Sequence, residues 1–172
     1  IGFLVYLLLW RQMFRRYAWG SWLSTLEHEF THALFAFITG HRVLKIRASW
    51  HDGGTTTFRG RGNWLIMISP YFVPTTAIAI VGLLYAVPTT WLPLGSGLLG
   101  VSIAYHITST WLETHWRQTD LHRVTIPFSV MFLPTANLAA YGVLFALAAG
   151  DGSTATEYLA AIWSETTTLF DW

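Results

Sequence analysis

Residues 18–39 read AWGSWLSTLEHEFTHALFAFIT, and the reading of that stretch decides the fold. It is as long as a membrane-spanning helix, which needs roughly 20 mostly apolar residues, yet it carries Glu27, His28, Glu29 and His32. Ionisable groups are expensive inside a bilayer, and where they occur they mark function. On an α-helix residues i and i+4 share a face, so His28 and His32 can aim two imidazoles at one metal ion. Glu29 lies beside such an ion and can take a proton from a water that the metal activates. The plainer alternative is a packing cluster whose imidazoles hydrogen-bond across a helix bundle.

The rest of the chain supports the membrane setting. Of 172 residues, 53% are hydrophobic, 16% aromatic and only 11% charged, whereas a soluble domain has about 25% charged residues. A net charge of +1 gives no reason to expect a nucleic-acid partner. The chain has no cysteine, so disulfides and thiolate metal sites are excluded, and a Zn²⁺ site must be built from histidine and carboxylate. Four long apolar segments follow one another: Ala18 to Thr39, Asn63 to Val87 with Pro70 and Pro74 inside it, Trp91 to Leu112, and Thr125 to Ala149. Ile1 to Trp10 is too short to span alone and reads as a truncated span, or as an interfacial helix continued by Arg11, Arg15 and Arg16. Residues 150–172, with four acids and no Lys or Arg, read as an acidic surface tail. The fold class expected is therefore all-α and polytopic, a single membrane domain over residues 1–172 with four or five transmembrane helices and a core at 18–149.

Between the first two spans the pattern changes. Arg42 to Arg47 and Thr55 to Arg59 are β-rich, and Asp52-Gly53-Gly54 between them is a turn signal, so His41 to Gly62 reads as a small β-hairpin. Its role is either none or that of an edge strand holding an extended peptide. The hairpin and the loop from Glu113 to Arg123 fall on the same side of the bundle, which carries Arg42, Lys45, Arg47, Arg59, Arg61, Arg117 and Arg123. The positive-inside rule puts that side in the cytoplasm and makes the protein a multi-pass component of the inner, cytoplasmic membrane.

A catalytic zinc usually takes three protein ligands and keeps a fourth position open. The third ligand is sought among Asp120, His106, Glu113, His115, His122 and Asp52. His32 lies about two turns, roughly 10 Å, inside the end of its span. A short re-entry after Leu112 would bring Asp120 to that level, with Glu113 and His115 as the nearest rivals. The other histidines, His41 and His51 included, read as interfacial or structural.

These residues resemble the site-2 protease family of intramembrane zinc metallopeptidases. The resemblance is carried by His28-Glu29-Phe30-Thr31-His32-Ala33-Leu34 in an apolar helix. A basic glycine-turned hairpin follows, then Gly60-Arg61-Gly62-Asn63-Trp64-Leu65 leading into a span with Ser69-Pro70-Tyr71-Phe72. It implies that Glu29 is the general base, that His28 and His32 bind Zn²⁺, and that an aspartate on a later span completes the site, where Gln118-Thr119-Asp120-Leu121 stands here. The family's usual Leu-Asp-Gly and its preceding Asn-Pro-rich stretch are absent, which marks a divergent or minimal branch. Asn137 or Gln118 takes the place of the asparagine that steadies the substrate carbonyl. The short connection from Pro88 to Pro93 leaves no room there for an inserted PDZ-like domain.

Two functions follow as expectations. The first is an intramembrane zinc endopeptidase that cuts membrane-spanning protein substrates within the lipid bilayer. The second is a non-proteolytic subunit of the same fold, serving a structural or regulatory role beside other membrane subunits. An intact Glu29 favours the first, since a purely structural site needs no base.

Overall fold

The computed structural model describes residues 1–12, 18–49, 53–149 and 152–168. Its elements, in chain order, are α1 (Gly2–Gln12), α2 (Ala18–Ile38), β1 (Val43–Ala48), β2 (Gly54–Phe58), α3 (Trp64–Ile68), α4 (Thr75–Leu84), α5 (Leu92–Glu113), α6 (Thr119–Val124), α7 (Ile126–Ala149) and α8 (Gly152–Thr168). The molecule is mostly helical, with one two-stranded antiparallel sheet. Each of the four apolar segments became helix. The expected hairpin formed as well, with Ile46 opposite Thr56 and Arg47 opposite Thr55. Asp52, in the expected turn, lies outside the described residues, as do Arg15, Arg16 and His51.

α2 stops for a local reason. Gly40 adopts φ 80°, a conformation open to glycine. The Gly40 and His41 amides then turn back to the carbonyls of Phe37 and Ala36, at 3.0 and 2.8 Å. This is the usual way of satisfying the last carbonyls of a helix.

The second apolar segment is broken outright. α3 ends in a 3₁₀ turn at Ser69–Tyr71, and the segments on either side of Phe72 to Pro74 are bent by 73°. Proline has no amide hydrogen, so Pro70 cannot donate to the carbonyl of Ile66 four residues earlier. Asn63 caps α3 by accepting the Ile66 amide at 2.9 Å. α4 is capped from another helix, because the Thr76 amide donates to Glu27 Oε1 at 2.8 Å. Glu27 therefore fills an anion position at a helix N-terminus, where the dipole favours negative charge.

Polar groups share the interior with the apolar core. Glu29, Thr31, His32, Ser69, Ser102, His106 and Ser129 are all buried. Leu23, Phe30 and Phe37 form an exposed row down α2 at intervals of seven residues, and Met131, Leu138 and Phe145 form another down α7. Contiguous apolar rows facing outward mark a surface that meets another protein or a membrane. Among the described residues, however, α7 is the one helix long and apolar enough to cross a membrane by itself, and the bent α3–α4 pair passes only when taken as a unit. α2 and α5 have the length, but His, Glu, Ser and Thr dilute their apolarity. The helices thus show one crossing by length and composition, or two with the bent pair, where the sequence led to an expectation of four or five.

Two apolar clusters hold the helices together. Ala77, Val81, Leu99, Ile103 and Leu144 join α4, α5 and α7. Ile68, Tyr71, Leu121 and Leu133 join the broken segment to α6 and α7. Gly100 lets α1 lie close on α5, since a Cβ there would stand 2.9 Å from the Phe3 nitrogen. The acidic tail forms α8, which packs along α7, with Tyr158 over Gly142.

Candidate metal centre

Three ligating atoms meet where α2 faces α6. His32 Nε2 lies 3.1 Å from His28 Nε2, and Asp120 Oδ2 lies 3.3 Å from the former and 3.6 Å from the latter. Bonds of about 2.0–2.1 Å to a tetrahedral zinc place neighbouring ligand atoms about 3.3 Å apart. The observed triangle has the size of one face of that tetrahedron. His28, His32 and Asp120 form the one cluster of metal-ligating side chains among the described residues.

The other ring nitrogens settle what the converging atoms are. His32 Nδ1 lies 2.6 Å from the Ile66 carbonyl, which can only accept, so Nδ1 carries the hydrogen. This is the carbonyl that Pro70 leaves without a helical donor. His28 Nδ1 lies 3.0 Å from Glu113 Oε2 and likewise donates. In neutral imidazole the second nitrogen is then a bare lone pair. Two lone pairs and a carboxylate oxygen therefore point at one another, and a cation at their centre relieves that repulsion. Two histidine nitrogens and one carboxylate oxygen suit Zn²⁺.

The electrostatics follow from this geometry. Burial works to raise the Asp120 carboxyl, but where His28 and His32 are protonated their ring N–H groups face it and hold it below the usual carboxylate range, so protons take the cation's place between these groups when no metal is bound.

The triangle opens on a polar cleft of about 430 Å³, lined among others by Thr25, Glu29, Gly54, Thr56, Gln118 and Arg123. Glu29 is buried on this wall. The hairpin lies directly against it: Thr56 Oγ1 donates to the Glu29 carbonyl at 2.7 Å. A Cβ on Gly54 would come within 2.4 Å of Glu29 Cγ and 2.6 Å of its Oε1.

The expected candidates are thus sorted by position. Asp120 joins His28 and His32, delivered by the short α6, which Leu121 anchors in the core. Glu113 sits across the His28 ring from the triangle, with Ser24 Oγ donating to its other oxygen. His106 is buried against the Tyr141 hydroxyl at 2.7 Å. His115 accepts the Arg117 amide, His122 donates to the Trp116 carbonyl, and His41 is engaged by Thr39 and the Arg61 carbonyl. Gln118 lines the cleft. Asn137 does not: its amide donates to the Tyr71 and Leu133 carbonyls, 2.9 Å each. The partners of the two Nδ1 atoms were missed in the sequence, although Ser24 four residues before His28 and Pro70 four after Ile66 were legible signals.

No curated protein and no solved structure matches this chain. A family model for Peptidase M50B-like proteins matches residues 1–146 of the 172. With most of its length inside that match and the His28–Glu29–His32 helix within it, the chain belongs to the site-2 protease, or M50, family in its Peptidase M50B-like form.

Proposed function

We propose that the protein is a multi-pass membrane endopeptidase that hydrolyses peptide bonds of membrane-spanning proteins at a Zn²⁺ held by His28, His32 and Asp120. One observation carries this reading. Three ligand atoms with tetrahedral spacing face a polar cleft whose wall holds a buried glutamate, Glu29. A bound zinc ion supplies Lewis acidity toward water and toward the substrate carbonyl.

The chain's own residues do the rest. Glu29 accepts the proton of the attacking water and returns it to the nitrogen of the leaving amine, so it ends the cycle as it began. Gly54, with no side chain, leaves the Glu29 carboxylate room to make both transfers. β2 pairs with β1 on one edge only, and its residues Gly54 to Thr56 line the cleft. An extended substrate can add to that free edge. This matters in lipid, where an unwound segment leaves polar backbone groups that cost several kcal/mol each when unpaired.

The membrane setting is supported by the apolar rows exposed on α2 and α7 and by the ionisable groups buried beside the apolar core. α2, the broken α3–α4 pair, α5 and α7 would then be the crossings. The hairpin and the α5–α6 connection, which hold most of the arginines, would face the cytoplasm. The deciding test is Glu29→Gln in the full chain, purified and reconstituted with a model transmembrane substrate. Zinc content should stay at the unmodified level while cleavage disappears, a loss of at least about 10²-fold. Undiminished cleavage would refute Glu29 as the base, and a chain that takes up no zinc would leave the non-proteolytic subunit as the reading.

A further inference from the structure

Ser24, His28 and His32 form a single stripe on α2, each four residues from the next. The last residue of α5, Glu113, closes over two of them. Its Oε2 accepts His28 Nδ1–H at 3.0 Å, and its Oε1 accepts the Ser24 hydroxyl. Both carboxylate oxygens are therefore committed to α2, on successive turns. The side chain of His28 is 12% exposed and that of Glu113 25%, so the pair is largely withdrawn from solvent.

His32 is held differently. Its Nδ1 meets a neutral backbone carbonyl, whereas the Nδ1 of His28 meets a charged group. A histidine bound to metal nearly always donates its second N–H to such a partner. The partner fixes the ring and its tautomer, and a carboxylate makes the opposite nitrogen a better donor.

From this geometry we infer that Glu113, itself fixed by Ser24, is the positioning residue of the metal centre, setting the orientation and donor strength of His28 without touching the metal. The inference rests on the metal-centre reading above. It also accounts for Glu113 as a third-ligand candidate that is near the site and yet is not a ligand. The Glu113 oxygens lie on the Nδ1 side of the ring, and the ligand triangle lies on the Nε2 side. A mere tie between α5 and α2 would use the same contacts, but it would not alter the metal.

The test uses the purified full chain, with Zn²⁺ affinity measured by chelator competition and the visible spectrum recorded on the Co²⁺-loaded protein. Glu113→Ala should weaken Zn²⁺ binding about 10–100-fold and shift the Co²⁺ bands. Glu113→Gln keeps an acceptor for Nδ1–H and should recover part of that loss, and it also serves where Glu113→Ala does not fold. Ser24→Ala should act in the same direction by less. Zn²⁺ affinity and a Co²⁺ spectrum unchanged in Glu113→Gln, in a protein whose unmodified form binds metal, would overturn the inference. Failure of the unmodified protein to bind Zn²⁺ or Co²⁺ would instead overturn the metal-centre reading on which it rests.

Discussion

The metal centre has two halves of unlike origin. One half is a stretch of nine residues on α2, Ser24 to His32, in which spacing along a single helix aligns the groups. The other half is the α5–α6 junction, where Glu113 ends one helix and Asp120 sits in the first turn of a six-residue one. The first half needs only the α-helical repeat to exist. The second exists only once Leu121 has docked beside Ile68, Tyr71 and Leu133. The contrast teaches that the donors most visible in the sequence are not those most sensitive to packing.

Substitutions at the two halves should separate them, and the largest effect belongs to the second. Asp120→Ala removes one donor of three and leaves two lone pairs facing each other. Zn²⁺ affinity should fall by more than the roughly 10–100-fold that loss of an outer partner costs, as read by chelator competition. Retention of full affinity would return Glu113 or His115 to consideration. Gly54→Ala acts on the first half from outside. The new methyl group must displace Glu29, since it would stand 2.4 Å from Cγ. A displacement near 1 Å costs about 100-fold in turnover, so kcat should drop while Zn²⁺ content holds. Equal losses of metal and turnover would mean that the hairpin supports the whole centre and not the base alone. The smallest effect is expected from Pro70→Ala, which restores an amide able to compete for the Ile66 carbonyl. His32 would lose its fixed partner, and metal affinity should fall about 10-fold.

Legibility in the sequence follows the same division. His28 and His32 were readable because i, i+4 spacing alone puts them on one face, and Glu29 because it stands one step beside them. The hairpin was readable from Asp52-Gly53-Gly54 and the β-rich runs on either side of it. Asp120 was readable only as one of several candidates, because its place depends on α5 ending at Glu113 and on the short α6. Glu27 shares α2 with the ionisable residues of the centre, yet it caps α4. A carboxylate on one helix gives no local sign that an amide of another needs it. The number of crossings was less legible still. On α2 the polar residues that build the centre also remove the helix from the apolar class, and on α5 a run of serines and threonines with His106 does so.

The break at Pro70 bears on how the molecule is made. Synthesis runs from α2 to α6, so His28 and His32 exist long before Asp120, and for that interval the pair is an incomplete site. The Ile66 carbonyl arrives between them in time and can hold the His32 ring ready while the last ligand is still missing. A helix without Pro70 would spend that carbonyl on itself. On this view the kink readies His32 for a ligand made later, and acquisition of metal would report that folding has run through α6.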